Sequence, residues 1–526
     1  MRSKRSSTRP TWGTVAAGLA LVALAGCSGS PGASTQPATT APATLSHTRP
    51  GPADWPGYGH DAQHTFAGRT SLTESSAKTL KVAWFFPTGD AVTATPTVVG
   101  GTVYAGSWDD TFYALDLATG ALRWKYHLQP QDAVTPYPGQ QPRDATSDGG
   151  LVTSSAWFQP GHGARPDLVI FGGGYTLYAL DAATGALYWR HDYSGRPGQP
   201  PDPTHDGTRI FSSPVVVGDQ VMFGVDVDGQ KGTHGYVAAA DLATGRPVWE
   251  FQTDVDAAGH VLDDGCGSVW SSGTVLPRLG LVVFDTSDCN FADTGPLAEA
   301  VIALRIRDGH LAWTYRPTLA PVDCDWDFGA TANAGVSPSG AASFLGVGGK
   351  NGTYYSLDPA TGHLRWATNV VFGGFAGGFI ATTAYDGRQV YGATALGDYG
   401  KFEKGKQVLC DPSDPRDVPM QEPSMHAFDA ATGAVAWQAD HAPSFAATTV
   451  AGGMTFGGPA LDGNALQVRD ATTGALVVTA ATPGPIWSGV ATVGDALVTG
   501  IGSSYVAQPA GIAVLTPDGA RPTSSR

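Results

Sequence analysis

Apolar and polar residues alternate along the chain in short blocks, and one block of eleven residues recurs seven times. Its first copy, Ala114–Trp124, reads ALDLATGALRW. The alternation over residues 112–116 predicts a strand that is buried on at least one face. Gly120 can adopt the positive φ of a tight turn, and a second alternating stretch follows that glycine. Each block therefore predicts a β-hairpin with an aromatic residue on its second strand.

Six copies of the block end in tryptophan, and the seventh ends in valine. The fourth copy also departs from the pattern, since it has Arg305 where the others have aspartate. An indole at one fixed place in each repeat favours packing against the neighbouring repeat, so we interpret these tryptophans as structural. The final residues of the seven copies are Trp124, Trp189, Trp249, Trp313, Trp366, Trp437 and Val478.

The spacing of the repeats predicts an all-β, eight-bladed β-propeller. The turn glycines lie 41 to 71 residues apart, which suits four-stranded blades with loop insertions. The first complete unit, Thr93–Tyr126, contains four short strand patterns. Three strand patterns follow the last copy without a fourth, and a lone strand pattern, Leu80–Phe86, stands near the start. Pairing these two ends would close the ring with an N-terminal strand and remove the free sheet edges.

Four segments are expected along the chain. Residues 1–27 have a basic start, a short apolar run and a lipobox-like end, which predicts a secretory signal with lipidation at Cys27. Residues 28–53 are rich in Ser, Thr and Pro and predict a disordered tether. Residues 54–520 are expected to form the propeller, and residues 521–526 a disordered tail. The protein would then be exported and lipid-anchored to the outer face of the cell membrane.

The charge balance limits the possible partners. Without its four basic residues in the signal, the chain has 31 − 4 = 27 basic and 46 acidic side chains, a net charge of −19. This balance argues against nucleic acid and anionic lipid surfaces as partners, so membrane contact is expected through the lipid anchor only. The 70 glycines and the low charged fraction of 15% suit a turn-rich exported protein.

Four cysteines remain after Cys27, an even number that predicts disulfides outside the cytoplasm, with three possible connectivities. We favour Cys266 with Cys289, since both would flank the first two strands of one blade. The sequence has no Cys-x-x-Cys-His, which excludes a covalently attached c-type haem, and no zinc-site spacing. The other two cysteines are Cys324 and Cys410.

The repeats and four connecting segments resemble the quinoprotein propeller superfamily. That superfamily includes alcohol dehydrogenases dependent on pyrroloquinoline quinone (PQQ), polyvinyl alcohol dehydrogenases, and non-enzymatic outer-membrane assembly lipoproteins. The opening segment Asp54–Gly68 is similar to the start of the mature dehydrogenases. Three more segments, in the family's order, are similar to those that carry its site residues: Gly267–Asn290, Val322–Ala330 and Gly348–Asp358.

The resemblance implies a role for individual residues. Trp270 would lie beneath the planar quinone, and Lys350 would face the quinone as the basic residue. Asp327 would be the catalytic aspartate, and it would bind the metal together with Asn290. The stretch Arg209–Gly218 is similar to the family segment with hydroxyls near the quinone, so Ser212, or its neighbour Ser213, is a further cofactor-binding candidate.

The chemistry of a quinone-dependent alcohol oxidation requires these residue types in its own right. An indole supplies a flat apolar face for a tricyclic quinone. Positive charge from Lys350 and a hard divalent cation would stabilise the negative charge that develops on the quinone oxygen. Asp327, between two aromatic residues, can be desolvated into a stronger base for the alcohol proton. An amide oxygen such as that of Asn290 suits calcium.

Each candidate also has a purely structural interpretation. Trp270 can be a core aromatic residue of an inner strand. Asp327 can cap a turn or loop, as aspartate commonly does. Lys350 opens a good hairpin turn with Asn and Gly after it. Ser212 precedes a Ser-Pro pair that suits the start of a strand.

The sequence also departs from the dehydrogenase pattern. Where the family has a metal-binding glutamate in the third blade, the nearest residue is Gln230, with Asp226 and Asp228 close by. Gly329 stands where lanthanide-dependent relatives have an additional aspartate, so the resemblance implies Ca²⁺. The adjacent-cysteine pair of methanol dehydrogenases is replaced by Gly106–Asp110, which leaves the upper face of the quinone without an assigned residue.

Two functional hypotheses follow from the sequence. The first is an exported PQQ- and Ca²⁺-dependent oxidoreductase that oxidises small or polymeric alcohols and passes the electrons to a separate acceptor. The second is a cofactor-free propeller lipoprotein that binds proteins or assembles envelope components, because a fold alone does not fix a function.

Overall fold

The eleven-residue block folds as the predicted hairpin. In the first copy the strand Thr111–Asp116 pairs antiparallel with Leu122–His127. Within the turn the Asp116 carboxylate accepts hydrogen bonds from the backbone N–H of Thr119, at 3.0 Å, and from its hydroxyl, at 2.8 Å. Gly120 has a φ of +71°, which a residue with a Cβ rarely adopts. The first strand is buried on both faces, because it lies in the middle of a blade between two neighbouring blades.

The structure is a computed structural model, and residues 45–526 form one compact unit. No helix among the residues described is long and apolar enough to cross a membrane. The predicted signal, with Cys27, and residues 28–46 of the predicted tether lie outside the described residues. Residues 47–53 were also predicted as tether, but they lie in the described part of the chain, where the Thr48 N–H donates to the Asp167 carboxylate at 2.7 Å. The residues that the structure describes are 47–128, 151–194, 198, 209–226, 234–262, 266–288, 295–317, 326–371, 373, 377–395, 401–403, 406–408, 422–440, 442–459, 463–503 and 509–522.

The chain forms eight blades, as predicted. Before the first complete blade come β1 (Arg69–Thr70), α1 (Glu74–Ala77) and β2 (Leu80–Pro87). Blade 1 consists of β3 (Thr97–Val99), β4 (Thr102–Gly106), β5 (Thr111–Asp116) and β6 (Leu122–His127), and blade 2 of β7 (Trp157–Gln159), β8 (Leu168–Gly173), β9 (Thr176–Asp181) and β10 (Leu187–Asp192). Blade 3 consists of β11 (Val215–Val217), β12 (Gln220–Val225), β13 (Tyr236–Asp241) and β14 (Pro247–Gln252). Blade 4 consists of β15 (Thr274–Leu276), β16 (Leu281–Asp285), β17 (Val301–Arg305) and β18 (Leu311–Tyr315).

The other four blades follow the same order. Blade 5 consists of β19 (Asn333–Val336), β20 (Ala342–Gly348), β21 (Thr353–Leu357) and β22 (Leu364–Asn369). Blade 6 consists of β23 (Ala384–Tyr385), β24 (Gln389–Ala393), β27 (Met425–Asp429) and β28 (Val435–Ala439), with the inserted hairpin of β25 (Lys401–Glu403) and β26 (Lys406–Val408). Blade 7 consists of β29 (Thr449–Ala451), β30 (Met454–Gly457), β31 (Ala465–Asp470) and β32 (Leu476–Ala481), and blade 8 of β33 (Val490–Gly494), β34 (Ala496–Ile501) and β35 (Gly511–Pro517) with β2 and β1. A short 3-10 helix, Pro277–Leu279, joins β15 to β16.

Blade 8 closes the ring in the predicted way. Its sheet has the order β1-β33-β34-β35-β2, so the N-terminal strand β2 pairs antiparallel with the last strand of the chain, β35. The first strands of neighbouring blades contact one another around the ring, which places them nearest the axis. Closure between the two ends of the chain leaves each inner strand covered by its neighbours.

The repeated tryptophans are structural, as interpreted from the sequence. Each indole packs on the turn glycine of the next blade: a Cβ added at Gly185 would lie 2.5 Å from the Trp124 ring, and one added at Gly245 would lie 2.4 Å from the Trp189 ring. The indole N–H also donates to a backbone carbonyl of that next hairpin, as from Trp189 to Leu242 at 2.9 Å. The same contact recurs in the pairs Trp84–Gly120, Trp249–Gly309, Trp313–Gly362, Trp366–Gly433 and Trp437–Gly474.

Val478 breaks the tryptophan pattern for a geometric reason. Its neighbour is blade 8, where the third and fourth strands come from the two ends of the chain, so no hairpin turn stands there to receive an indole. The helix α1 lies against β32 and β35 instead. Val478 packs against a buried cluster that includes Ala77 and Leu80.

The opening segment Asp54–Gly68 ties the inner strands together at one end of the axis. The backbone of Trp55 exchanges hydrogen bonds with Val98 in blade 1 at 2.7 and 2.8 Å. Further backbone bonds reach the inner strands of five other blades, which makes this segment a floor across the ring. The bonds run from Phe158 to Pro56, Val275 to Ala62, Ala334 to Gln63, Tyr385 to Thr65 and Val450 to Phe66.

We expect the indole contacts to carry a large share of the blade-to-blade stability. Replacing Trp189 by alanine should lower the free energy of unfolding by about 3–5 kcal/mol, because the substitution leaves a cavity over Gly245. Replacing Val478 by alanine should cost about 1 kcal/mol, because no hairpin lies beneath that residue. Urea unfolding followed by tryptophan fluorescence and circular dichroism would measure both values. Equal losses in the two variants would show that the contact with the turn glycine contributes nothing specific.

A buried histidine in blade 6 should make the fold sensitive to acid. His426 contacts Gln438 Nε2 through Nδ1 at 3.0 Å and Thr394 Oγ1 through Nε2 at 3.3 Å. Burial lowers the pKa of His426 to about 3. The unfolded chain takes up this proton near pH 6.5 and the folded chain does not, so the stability present above pH 6.5 is lost as the pH falls towards 3, by about 1.4 kcal/mol per unit.

The variant His426→Gln should therefore show a smaller loss of unfolding free energy between pH 7 and pH 4 than the parent protein, whatever its stability at pH 7. Urea unfolding at a series of pH values would measure this slope. The variant His363→Gln, at an exposed hairpin position of blade 5, is the matched control and should keep the parent slope. An unchanged slope in His426→Gln would contradict the assignment.

Candidate functional site

Three elements of blades 4 and 5 bring the predicted site residues to the end of the ring opposite the floor. Trp270 lies in the segment before β15, Asp327 in the segment before β19, and Lys350 in the turn between β20 and β21. Inner strands run from these segments towards the floor, where Val275 and Ala334 meet residues 62 and 63. The site and the floor are therefore at opposite ends of the inner strands.

Asp327 and Lys350 form a buried ion pair. Lys350 Nζ lies 2.7 Å from Asp327 Oδ1, and the two side chains are 8% and 2% exposed. The backbone N–H of Lys350 also donates to the carbonyl of Asp327 at 2.9 Å. Removing either partner would leave a charge buried without its counter-charge, which is costly. The two predicted catalytic residues thus fix each other's position.

Trp270 lies next to this pair. Lys350 Nζ is 5.3 Å from the centroid of the Trp270 ring, within the range of a cation–π contact. The blade 5 segment approaches the indole at Gly329, where an added Cβ would lie 3.3 Å from the ring and 3.0 Å from Ile380 Cα. A larger residue at this position would have to displace the neighbouring backbone. The structure therefore brings Trp270, Asp327 and Lys350 together.

The turn that carries Lys350 has the structural role considered from the sequence, and the role of Lys350 towards a cofactor stays a prediction. Gly352 has a φ of +76° and donates its N–H to the carbonyl of Gly349 at 3.0 Å. Asn351 Oδ1 accepts the N–H of Thr353 at 3.1 Å, which closes the turn. The same turn holds Lys350 against Asp327 and Trp270. A structural turn and a site residue are thus combined in one motif.

Below Trp270, hydroxyl groups link the inner segments of neighbouring blades. The backbone N–H of one blade donates to a Ser or Thr hydroxyl of the next, and we call the residues at this register the hydroxyl ring. The bonds are Ser155 to Ser213 and Ser213 to Ser272 at 2.9 Å, and Ser272 to Thr331, Thr331 to Thr382 and Gly489 to Thr95 at 3.0 Å.

The hydroxyl ring separates the two serine candidates. Ser213 belongs to the ring, so its hydroxyl has a structural role. Ser212 is buried, and its Oγ has no hydrogen-bond partner among the described residues. At the same register in other blades the serine hydroxyl is bonded to the adjacent strand, as Ser154 is to Gly172 at 2.8 Å. A buried hydroxyl without such a bond is suited to a ligand.

Thr153 is a residue that the sequence analysis missed. Its Oγ1 is buried and likewise has no hydrogen-bond partner in the described part of the chain. Thr153 precedes Ser154 and Ser155 as Trp270 precedes Ser271 and Ser272, so it occupies the same register in blade 2 that Trp270 occupies in blade 4. Aligning the segments before the inner strands would have found it.

Tyr58 closes the space beneath the hydroxyl ring. Its hydroxyl lies 2.8 Å from Thr382 Oγ1, and burial raises the pKa of Tyr58 to about 12. The phenol is therefore neutral at physiological pH. His64 adds a bond from the floor, with Nε2 3.0 Å from the carbonyl of Gly273. Polar groups under the site are thus satisfied by the floor segment.

The segment Gly106–Asp110 lies in and after the end of β4, in the turn towards β5. Its Trp108 donates from Nε1 to Thr93 Oγ1 at 2.8 Å. Thr93 occupies the position in blade 1 that Trp270 occupies in blade 4. Trp108 therefore reaches the segment before the innermost strand of its own blade. This position was not assigned from the sequence, and it adds an aromatic residue at the same end of the ring.

The predicted metal ligands are only partly described. Asn290, Gln230 and Asp228 lie outside the described residues, so their roles stay predictions. Asp226 is described and buried, and its carboxylate accepts a hydrogen bond from the Ser268 hydroxyl, two residues before Trp270. Within the described ranges no group of three or more His, Cys, Asp or Glu side chains could hold a metal ion.

Cys266 is disulfide-bonded. Cys266 lies four residues before Trp270 and is buried. Its backbone N–H donates to the carboxylate of Asp254 at 3.3 Å. The predicted partner, Cys289, and the other two cysteines lie outside the described residues. The pairing of Cys266 with Cys289 therefore stays a prediction.

Comparison with known proteins agrees with this geometry. The sequence model of the PQQ family described as glucose/ethanol/alcohol dehydrogenase, beta-propeller domain, matches residues 55–370, more than half of the chain. A polyvinylalcohol dehydrogenase of Pseudomonas sp. is 25% identical over 367 residues, which are 65% of this chain and 55% of that protein. The quinohemoprotein alcohol dehydrogenase ADH-IIG of Pseudomonas putida is 27% identical over 356 residues, 61% of this chain and 46% of that protein.

The chain therefore spans about half the length of these curated relatives. Among solved structures, a europium-containing methanol dehydrogenase has a TM-score of 0.68 at 19% identity, covering 89% of this chain and 98% of that chain. This likeness shows the fold. Because the family model matches more than half of the sequence, the chain belongs to the PQQ family of glucose/ethanol/alcohol dehydrogenase propellers, whose members generally bind PQQ and Ca²⁺.

Proposed function

We propose that this protein is a PQQ- and Ca²⁺-dependent dehydrogenase that oxidises alcohols or polyol-like substrates and passes the electrons to a separate acceptor. The observation that supports the proposal is the convergence of Trp270, Asp327 and Lys350 at one end of the ring. These three residues come from separate segments of two blades. The scaffold alternative does not require a buried ion pair beside an indole.

The described residues fit a flat, anionic quinone. The Trp270 ring offers an apolar face, and Lys350 places a positive charge beside that ring. Ser212 and Thr153 add two buried hydroxyls without hydrogen-bond partners in the described part of the chain. Such hydroxyls can donate to the oxygens of a polar ligand. Together they provide a face, a charge and two donors.

Bound PQQ would accept the hydride from the alcohol carbon, and the remaining steps belong to the protein. Asp327, paired with Lys350, is placed to take the alcohol proton as general base. Lys350 lies beside both the aspartate and the indole, where its charge stabilises negative charge on a nearby oxygen. Burial of the pair excludes water and strengthens both interactions.

Calcium binding is proposed through Asp327 together with Asn290. Carboxylate and amide oxygens are the ligands that Ca²⁺ prefers. Gln230 and Asp228 remain candidates for the third blade's contribution, where a glutamine would lower the charge of the site. A fully functional site would then need added Ca²⁺ when the protein is purified without it.

Reconstitution tests the proposal directly. The purified protein with PQQ and Ca²⁺ should reduce an artificial electron-accepting dye in the presence of ethanol, glycerol or polyvinyl alcohol, and chelation of Ca²⁺ should remove the activity. Asp327→Asn should lower turnover by at least about 100-fold, because the general base is lost. PQQ binding to the same variant, followed by quenching of tryptophan fluorescence, should persist. Asp219→Asn, at an exposed turn of blade 3, is the control and should behave like the parent protein.

Absence of both quinone binding and turnover in the parent protein would contradict the proposed function. In that case the alternative considered from the sequence, a cofactor-free scaffold, would account for the propeller. Quinone binding without turnover on any alcohol of the panel would overturn the proposed substrate class while keeping the cofactor.

We further propose that the protein is exported and anchored by a lipid on Cys27, with residues 28–46 as the tether. The basic start, the short apolar run and the cysteine after Leu-Ala-Gly support this proposal. Expressed in its native cell type, the protein should partition into the membrane fraction and incorporate labelled palmitate. Cys27→Ala should abolish the labelling. Labelling that persists in this variant would refute the assignment of Cys27.

A further inference from the structure

Asp285 is a buried acid at the boundary between blades 4 and 5. It is the last residue of β16, its exposed fraction is 0%, and no role in the site has been assigned to it so far. Burial of a carboxyl group without a counter-charge is costly, so its retention at this place calls for an explanation.

The position of Asp285 in the repeat is normally glycine. Extending the register of β15 and β16 places Asp285 opposite Ser272, a member of the hydroxyl ring. The corresponding residues of the other blades are Gly106, Gly172, Gly224, Gly348, Ala393, Gly458 and Gly500. Blade 4 thus has a carboxyl group where every other blade has glycine or alanine.

Glycine is required in several of those blades because the next blade fills the space. A Cβ added at Gly172 would lie 2.4 Å from Ile210, and one added at Gly224 would lie 2.4 Å from Val269. Between blades 4 and 5 the carboxyl group of Asp285 enters the gap instead. The blade boundary next to the site is therefore built differently from these boundaries.

The carboxyl group holds the segment that carries Asp327. Asp285 Oδ2 accepts the backbone N–H of Ala332 at 3.1 Å, five residues after Asp327. This bond is not a general feature of the fold, because the residues corresponding to Ala332 in blades 1 and 3 are Pro96 and Pro214, which have no N–H. The bond belongs to the boundary where the site lies.

Asp285 is also attached to the segment that carries Trp270. The Ser271 hydroxyl accepts the N–H of Asp285 at 2.8 Å and donates to its carbonyl at 2.8 Å. Through its backbone and its side chain, Asp285 thus connects the residue next to Trp270 with the segment that begins at Asp327. One residue links both sides of the site.

Burial raises the pKa of the Asp285 carboxyl well above its ordinary value. No cation compensates the group in the described part of the chain, and Oδ1 has no hydrogen-bond partner there. Burial disfavours the charged form of the carboxyl, and Oδ2 acts as a hydrogen-bond acceptor. An uncharged amide of the same shape should replace it in this role.

We infer that Asp285 is a positioning residue, which fixes the blade 5 segment carrying Asp327 against the blade 4 segment carrying Trp270. The kinetic consequence of this inference rests on the proposed function, whereas the structural consequence does not. Among the described residues, Asp285 makes no hydrogen bond to Asp327 or Lys350, so it acts through the backbone of residues 327–332.

The test compares two substitutions of similar size. Asp285→Asn keeps an acceptor for the Ala332 N–H, and Asp285→Leu removes it. Ala393→Gly, at the same register of blade 6, is the control for a change of volume in a blade boundary remote from the pair. Hydrogen exchange of the backbone amides of residues 326–333, measured by mass spectrometry on the full chain, reports on the segment without any cofactor.

We expect hydrogen exchange in residues 326–333 to be roughly 10- to 100-fold faster in Asp285→Leu, a factor similar to the effect of losing other hydrogen bonds that orient site residues. The exchange rate should stay close to that of the parent protein in Asp285→Asn and Ala393→Gly. With PQQ and Ca²⁺, Asp285→Leu should lower kcat by a similar factor and change KM by less than about twofold, because the proposed general base is displaced while the Trp270 face remains. Asp285→Asn should retain kcat within about twofold.

Two outcomes would overturn the inference. The first is an unchanged exchange rate and kcat in Asp285→Leu, and the second is an equal fall in Asp285→Asn and Asp285→Leu. If Asp285→Leu does not fold, the smaller Asp285→Ala takes its place in both measurements. If the parent protein oxidises no alcohol, the proposed function fails, and the exchange rates alone still decide the role of Asp285.

Discussion

The contact between an indole and a turn glycine is the interaction on which the ring depends. It joins each hairpin to the last strand of the preceding blade, and it combines close packing with a hydrogen bond from the indole N–H, as between Trp189 and Leu242. Glycine is needed for two reasons at once, since the turn requires a positive φ and the indole leaves no room for a Cβ. Where no hairpin exists, at the closure of the ring, the tryptophan is absent as well.

This outer contact leaves the inner ends of the blades free to differ. The floor segment Asp54–Gly68 ties the inner strands together by backbone hydrogen bonds, and the hydroxyl ring does so by bonds from backbone N–H groups to Ser and Thr hydroxyls. Neither set of bonds needs a particular side chain at the register of Trp270. Side chains at the register of Trp270 can therefore vary from Thr153 to Gly329 without disturbing the sheets. A repeated scaffold with a variable inner face is a suitable base for one asymmetric site.

The sequence predicted the fold well because the signals of a propeller are local. The hairpin turns, the tryptophans and the lone strand Leu80–Phe86 depend on residues close in the chain, and all were found in place. The convergence of Trp270, Asp327 and Lys350 was predicted only through resemblance, since their contacts join separate segments. Thr153 and Asp285 were missed, because an unpaired hydroxyl or a buried acid is recognised only when the register between blades is known. Asn290, Gln230 and Asp228 lie outside the described residues, so the metal ligands remain predictions.

The departures from the repeat register are concentrated where the site lies. Blade 4 replaces a glycine by Asp285, and blade 5 has Gly329 where blade 4 has Trp270. The small residue admits the indole, and the acid holds the segment that approaches it, so both departures act on the same segment of blade 5. The closely packed propeller permits such exceptions only in complementary pairs, because a Cβ or a carboxyl group added at one blade must be matched by space or a donor in the next. Complementary exceptions at one blade boundary are therefore a structural indication of a site, independent of any resemblance between sequences.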